Sequence, residues 1–118
     1  YANKVIYEIT SDRRLKENIE KTQFGISDLM KIRVRDFHYK RTPEERRHVK
    51  TTGFIAQELE EVYPQAVGGD PYGDVTKNPM TVAVDELVPL LVQAVQDQQE
   101  VIKNLEERIK KMEKDNAI

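Results

Sequence analysis

LVQAVQDQQEVIKNLEERIKKM, residues 91–112, is the stretch that decides how this chain is built. Leu91, Gln98, Leu105 and Met112 recur at one position and Val95, Ile102, Ile109 and Asn116 at another, alternating by four and three throughout. Such a narrow apolar stripe is too thin for a helix lying on a globular surface and suits the seam of a coiled coil. With the branched residues at a and Leu at d, Arg108 takes g and Glu113 the following e, so the two pair between parallel neighbours. Glu106 with Lys110 and Glu107 with Lys111 add pairs within each helix, each worth about 0.2–0.5 kcal/mol. The competing reading is a single amphipathic helix packed on its own domain. Oligomer number stays open: branched a with Leu at d leans toward dimers, while Gln98 in the seam fixes register at a cost in stability.

Working back from the seam, Asp85 is suited to cap the helix, and Pro89 is tolerated in its first turn, where amides lack partners. Met80 to Val84 predicts a short strand, antiparallel to an earlier one, after the turn cluster Gly68-Gly69-Asp70-Pro71-Tyr72-Gly73-Asp74. Further upstream, Thr52 to Ala56 reads as a brief strand leading into a helix over Gln57 to Tyr63. Ile55, Leu59 and Val62 fall there at helical spacing, and Pro64 is the stop. Lys40 to Lys50 is charged and carries the turn signal Thr42-Pro43-Glu44. Val34, Phe37 and Tyr39 predict a strand. Gly25 to Ile32 predicts a short helix capped by Ser27 or Asp28. At the start of the chain Val5, Tyr7 and Ile9 alternate with Lys4, Glu8 and Thr10, the pattern of a half-buried strand, with Ile6 falling on the polar face. The fold class is therefore α+β: a small mixed helix and antiparallel-strand core over residues 11–84, then a long C-terminal helix over 85–118.

The chain has 118 residues, of which part must go to a helix that adds no globular core. With 34% charged residues, 38% hydrophobic ones and no Trp, a lone copy buries little apolar surface, and association is the natural remedy. Nineteen basic residues against twenty-one acidic ones leave a net charge of -2, which gives no footprint for nucleic acid or an anionic membrane. The absence of Cys removes disulfide scaffolds, thiolate metal sites and cysteine nucleophiles, and is compatible with a reducing compartment. No apolar run approaches the ~20 residues that span a bilayer. The chain reads as soluble, and a start at Tyr1 suggests a fragment.

Chemistry has few places to sit. Ser27 is explained as a cap, which leaves Ser11, followed by Arg13-Arg14-Leu15-Lys16. A serine nucleophile needs a base, and lysine serves once burial or neighbouring positive charge lowers its affinity for the proton; Arg13 and Arg14 are candidates to supply that charge. At about 3.6 residues per turn, positions i and i+5 of a helix point about 140° apart. Ser11 and Lys16 can therefore meet only across a turn or between chains, and tertiary or intersubunit contacts are expected to impose the bend. The bland alternative is an exposed serine before a solvated basic stretch. His38 and His48 read as surface residues, and Asp70 and Asp74 as turn formers, because no calcium or zinc ligand spacing surrounds them. Nothing calls for a metal or cofactor, and no phosphate-binding glycine loop is present.

Ser11-Asp12-Arg13-Arg14-Leu15-Lys16-Glu17-Asn18-Ile19, then Phe37-His38-Tyr39-Lys40, then Gly53-Phe54-Ile55-Ala56-Gln57-Glu58-Leu59, closely resembles the intramolecular chaperone domain of phage tail spikes and fibres, the S74 peptidase family. The resemblance runs from Ser11 to the C-terminus, terminal helix included. It implies a homotrimer that guides folding of an upstream stalk in the same polypeptide and then cuts itself off just before the motif serine. Ser11 and Lys16 then match the family's dyad, Thr10-Ser11 is the scissile bond, and residues 1–10 are the end of the preceding fibre. The coiled coil becomes trimeric, with Leu91, Val95, Gln98, Ile102, Leu105, Ile109 and Met112 as its seam. Gln57 is a candidate to stabilise the oxyanion. Family members often carry a histidine just ahead of the glycine matched by Gly53, where this chain has Thr51-Thr52; His48 is the nearest substitute. The implied setting is the host cytoplasm during assembly, with the mature upstream fibre in the virion tail.

Two rivals belong to other classes. A trimerisation cap or docking adapter without catalysis explains the heptads equally well. A serine hydrolase acting on outside substrates is disfavoured because so small a chain has little room for a pocket.

Overall fold

The structure is a computed structural model, and it describes residues 8–40 and 48–117. The strand expected around Val5 and Tyr7 and the turn at Thr42-Pro43-Glu44 lie outside the described residues. Glu8 to Thr10 carry no strand.

The elements come in the order α1 (Ile26–Leu29), β1 (Arg35–Phe37), β2 (Thr51–Gly53), α2 (Ala56–Val62), β3 (Val67–Gly68), β4 (Thr81–Val82) and α3 (Leu87–Asn116). Single 3-10 turns occupy Arg13–Leu15, Pro64–Ala66 and Val84–Glu86. The fold is α+β, built from two antiparallel strand pairs and one long helix. β1 pairs with β2 in the register Arg35 to Gly53 and Phe37 to Thr51, and the Thr52 hydroxyl donates to Asp36 across the pair at 2.6 Å. β3 pairs with β4, Val67 opposite Val82, and the Ala83 amide extends the ladder by donating to Ala66 at 2.8 Å. The chain leaves β3 through Gly69 at φ +85°, where a Cβ would collide with the backbone of Pro79 and Met80.

α2 forms where the helical spacing placed it and stops before Pro64, which starts a 3-10 turn. It buries Leu59 against Tyr63, Ala66, Leu87 and Leu90, with Phe24, Leu29, Ile32, Phe54, Val67 and Val82 packed around them. The Phe24 and Tyr63 rings meet edge to face at 4.9 Å between centroids. This core lies against the first turns of α3, and Ala94 is the last residue of that helix to be buried. Beyond Asp97 every described residue of α3 is exposed. The reading in which the whole helix packs on its own domain therefore holds only for its first turns.

Three local expectations are corrected. Asp85 does not cap α3: it sits inside a 3-10 turn, and the helix starts from Glu86 with no side-chain cap bond. Ser27 lies within α1, and the cap position belongs to Gly25, whose amide donates to Asp28 Oδ2 at 3.0 Å. The strands expected over Met80 to Val84 and Thr52 to Ala56 are shorter, Thr81–Val82 and Thr51–Gly53: the 3-10 turn takes Val84 and α2 takes Ala56, while Met80, Ala83, Phe54 and Ile55 lie outside any helix or strand.

Candidate active site

Ser11 and Lys16 meet: Lys16 Nζ donates to Ser11 Oγ at 2.6 Å within one chain. Between them the backbone makes one 3-10 turn, with Leu15 N donating to Asp12 O at 3.0 Å and Lys16 N to Arg13 O at 3.1 Å. Asp12 nucleates that turn by accepting the Arg14 amide on Oδ1 at 2.9 Å. Its carboxylate also takes the Arg14 guanidinium in a fork, Nη2 to Oδ2 at 2.8 Å and Nε to Oδ1 at 3.2 Å. The hydrogen bonds from the Arg14 side chain, then from its amide, hold the Asp12 carboxyl below the usual carboxylate range. Lys16 leaves the turn in an extended conformation, and two residues on Asn18 takes the left-handed conformation at φ +53°, which Asn tolerates better than most side chains.

The bend is therefore local and needs no tertiary or intersubunit contact. Arg14 is paired with Asp12, so of the two arginines expected to raise the local positive potential Arg13 is the better placed. Ser11 and Lys16 are both exposed, as is the whole of residues 11–20.

The other candidates stand elsewhere. Gln57, near the start of α2, lines an open groove of about 840 Å3 together with His38, Tyr39, Thr52 and Met80, and neither Ser11 nor Lys16 reaches it. Among the described residues no hydrogen bond links Gln57 or His48 to the Ser11-Lys16 pair. Glu58, next in the same motif, accepts from Arg35 at 2.7 Å and Arg33 at 3.3 Å, tying α2 to β1. The Asp70 and Asp74 carboxylates cap their own loop, accepting the amides of Tyr72 and Thr76, each at 2.9 Å. Among the described residues no three His, Asp or Glu side chains converge as metal ligands, and no helix is long and apolar enough to cross a membrane. Sequence reasoning missed Asp12 and Asn18 as the residues that shape the turn; the spacing Asp12-x-Arg14 was the available signal for the first.

Residues 11–68 match the family model of peptidase S74, described as the chaperone of endosialidase. This segment belongs to the S74 family. The match opens on Ser11 and closes on Gly68 in β3, so it takes in the Ser11-Lys16 turn, both strands of the first pair and α2, and leaves α3 outside it. The S74 segment is thus the part of the chain that carries the serine and lysine and most of the core under α3.

Proposed function

We propose that this chain is the C-terminal intramolecular chaperone of a phage tail spike or fibre, which assembles as a parallel trimer, assists folding of the stalk upstream of it and releases itself by cutting Thr10-Ser11. The observation that carries the reading is the 2.6 Å contact between Lys16 Nζ and Ser11 Oγ at the first residue of the S74 match. The trimer rests on the stripe Leu91, Val95, Ile102, Leu105, Ile109 and Met112, which stands 41% to 62% exposed in the single chain. These heptads would leave three copies side by side, with the upstream stalk entering beside Ser11.

In the reaction, neutral Lys16 takes the hydroxyl proton of Ser11 as Oγ attacks the carbonyl carbon of Thr10. The C–N bond of Thr10-Ser11 then breaks, and the Lys16 ammonium returns the proton to the departing Ser11 nitrogen. The result is an ester between the Thr10 acyl group and Ser11 Oγ. Water hydrolyses it, freeing a carboxylate at Thr10 and restoring Ser11 as a new N-terminus. Backbone amides or Gln57 would serve the oxyanion, Gln57 only after a rearrangement that brings it to Ser11.

A second reading, a trimerisation cap without catalysis, is favoured by one observation: Ser11 and Lys16 are both exposed, so in the single chain the pair stands in water and not in an enclosed site. The test is the intact mass of freshly folded protein carrying further residues upstream of Tyr1. Two fragments meeting at Thr10-Ser11 support self-cleavage. One uncut species that stays uncut, with trimers present, would favour the cap.

A further inference from the structure

Beside the first turns of α3 lies an apolar pocket of about 230 Å3, lined by Leu29, Ile32, Val34, Phe54, Leu87 and Leu91. The heptad register fixes where it stands relative to the seam. Counting back one heptad from Val95 puts Val88 at a, which places Leu87 at g and Val92 at e. In a parallel coiled coil each g residue reaches toward the e residue of the following heptad of its neighbour, five positions on. That step joins Arg108 to Glu113 low on the helix, and the same step from Leu87 leads to Val92. Leu87 is a wall of the pocket, and Val92 is an apolar side chain 51% exposed in the single chain.

We infer that Val92 of one copy closes the apolar pocket of the next, so that each globular core is completed by its neighbour. The inference rests on the parallel coiled coil proposed above and adds to it a second, heterologous contact that runs round the ring. The occupant is set by position. Val92 stands about 7.5 Å further along the helix than Leu87 at ~1.5 Å per residue, the diagonal step that a g to e contact spans, and the two lie on opposite flanks of the seam, as a closed ring of head-to-tail contacts requires. The chemistry changes along the helix accordingly. The successive g and e pairs run from the apolar Leu87 and Val92 beside the core, through Ala94 with Gln99 and Val101 with Glu106, to the charged Arg108 and Glu113. Val88, exposed and at a, carries the seam up to the level of the pocket. The assembly therefore joins a coiled coil to a continuous apolar layer at its upper end, beside the S74 segment.

The chain has no native cysteine, so the contact can be tested by cross-linking. Val34, on the pocket wall, and Val92 are both exposed, and Cys at either leaves the packed core intact. The full-length protein with Val34→Cys and Val92→Cys together, treated with a short bis-maleimide, should run as covalent dimers and trimers under denaturing conditions. Each single variant should remain monomeric there. Gln98→Cys alone reports the seam independently, since d residues of neighbouring copies approach one another. Cross-linking through Gln98→Cys without cross-linking between positions 34 and 92 would overturn the pocket contact and leave the coiled coil standing. Failure of both would overturn both.

Discussion

Asp97, on the long helix, accepts the backbone N–H of Ile26 on Oδ2 at 3.0 Å, joining residues 71 apart in the chain. The other oxygen of the same carboxylate takes the Gln93 side chain at 2.9 Å, so one side chain of α3 caps the start of α1 and is itself held from one turn back. A Cβ at Gly25 would fall on Asp97 Oδ2, so a larger residue there would push this carboxylate aside.

This cap predicts a pH dependence. The hydrogen bond from Gln93, then the Ile26 amide, and more weakly the charge of Lys21, hold the Asp97 carboxyl below its ordinary value of 3.8. A depressed folded-state value means the contribution is complete above 3.8 and is lost as pH falls through the lower folded value. Thermal melts of wild type and Asp97→Ala should therefore differ by a few degrees at neutral pH and converge in more acid solution. A difference that persists unchanged at the lowest pH would show that the carboxylate charge plays no part.

Core and seam should fail separately. Leu59 is 1% exposed, and Leu59→Ala removes buried methyl groups from the middle of the core, at a cost of about 2–5 kcal/mol. Cooperative unfolding should move to markedly lower denaturant, with near-UV circular dichroism following it. Ile102→Asp with Ile109→Asp touches no residue of that core, and should instead dissociate the oligomer by placing unpaired charges in the seam. Sedimentation showing the same assembly for the double Asp variant as for wild type would refute the seam.

What was legible in the sequence was what repeats or stops. The heptads, the Ile55-Leu59-Val62 spacing and Pro64 each act on neighbouring residues, and α2 and α3 formed where those signals put them. The capping role of Asp97 was invisible, because the heptad count assigns it to c, an outward position, while its partner is far away in the chain. The strand over Met80 to Val84 was expected too long, and β3, whose Gly68 reads as part of a turn, was not expected at all, for a related reason. β3 and β4 hold only two residues each, fixed by the core beneath them and by the turn at Gly69, so propensity along the strand had little to say. At the site, spacing left Ser11 and Lys16 to meet across a turn or between chains and expected tertiary or intersubunit contacts to impose the bend; they meet across a turn, and Asp12 makes the bend from within.

That cause can be removed without touching the pair. Asp12→Ala withdraws the carboxylate that holds Arg14 and the 3-10 turn, and leaves Ser11 and Lys16 in the chain. Cleavage of the upstream-extended protein should slow by roughly 10²-fold, the penalty typical of a displaced catalytic group, while the assembly persists. Lys16→Arg keeps the charge and offers no neutral base, because guanidinium stays protonated at ordinary pH, so it should stop cleavage outright. Wild-type cutting by Lys16→Arg would remove lysine from the mechanism and make His48 the next residue to replace.

The last prediction concerns when the cut occurs. Because Ser11 and Lys16 already touch in a single chain, geometry alone gives no reason for cleavage to wait. Solvent gives one: both groups are exposed, and a lysine ammonium surrenders its proton more readily once water is excluded or positive charge gathers nearby. Three copies brought together by α3 would supply both effects, by covering the Ser11 segment with the incoming stalk and by bringing three Arg13 side chains to one end of the bundle. Release of the chaperone would then follow completion of the stalk, and a stalk without its chaperone would be slow to unfold and unable to refold readily, a kinetic lock. Cleavage of the upstream-extended protein should be followed after dilution from denaturant at several chain concentrations. If assembly gates the chemistry, the early rate rises more steeply than first order in chain concentration, and the Ile102→Asp, Ile109→Asp variant stays uncut with its Ser11-Lys16 turn intact. Cleavage by that variant at a rate independent of concentration would place the whole reaction within one chain.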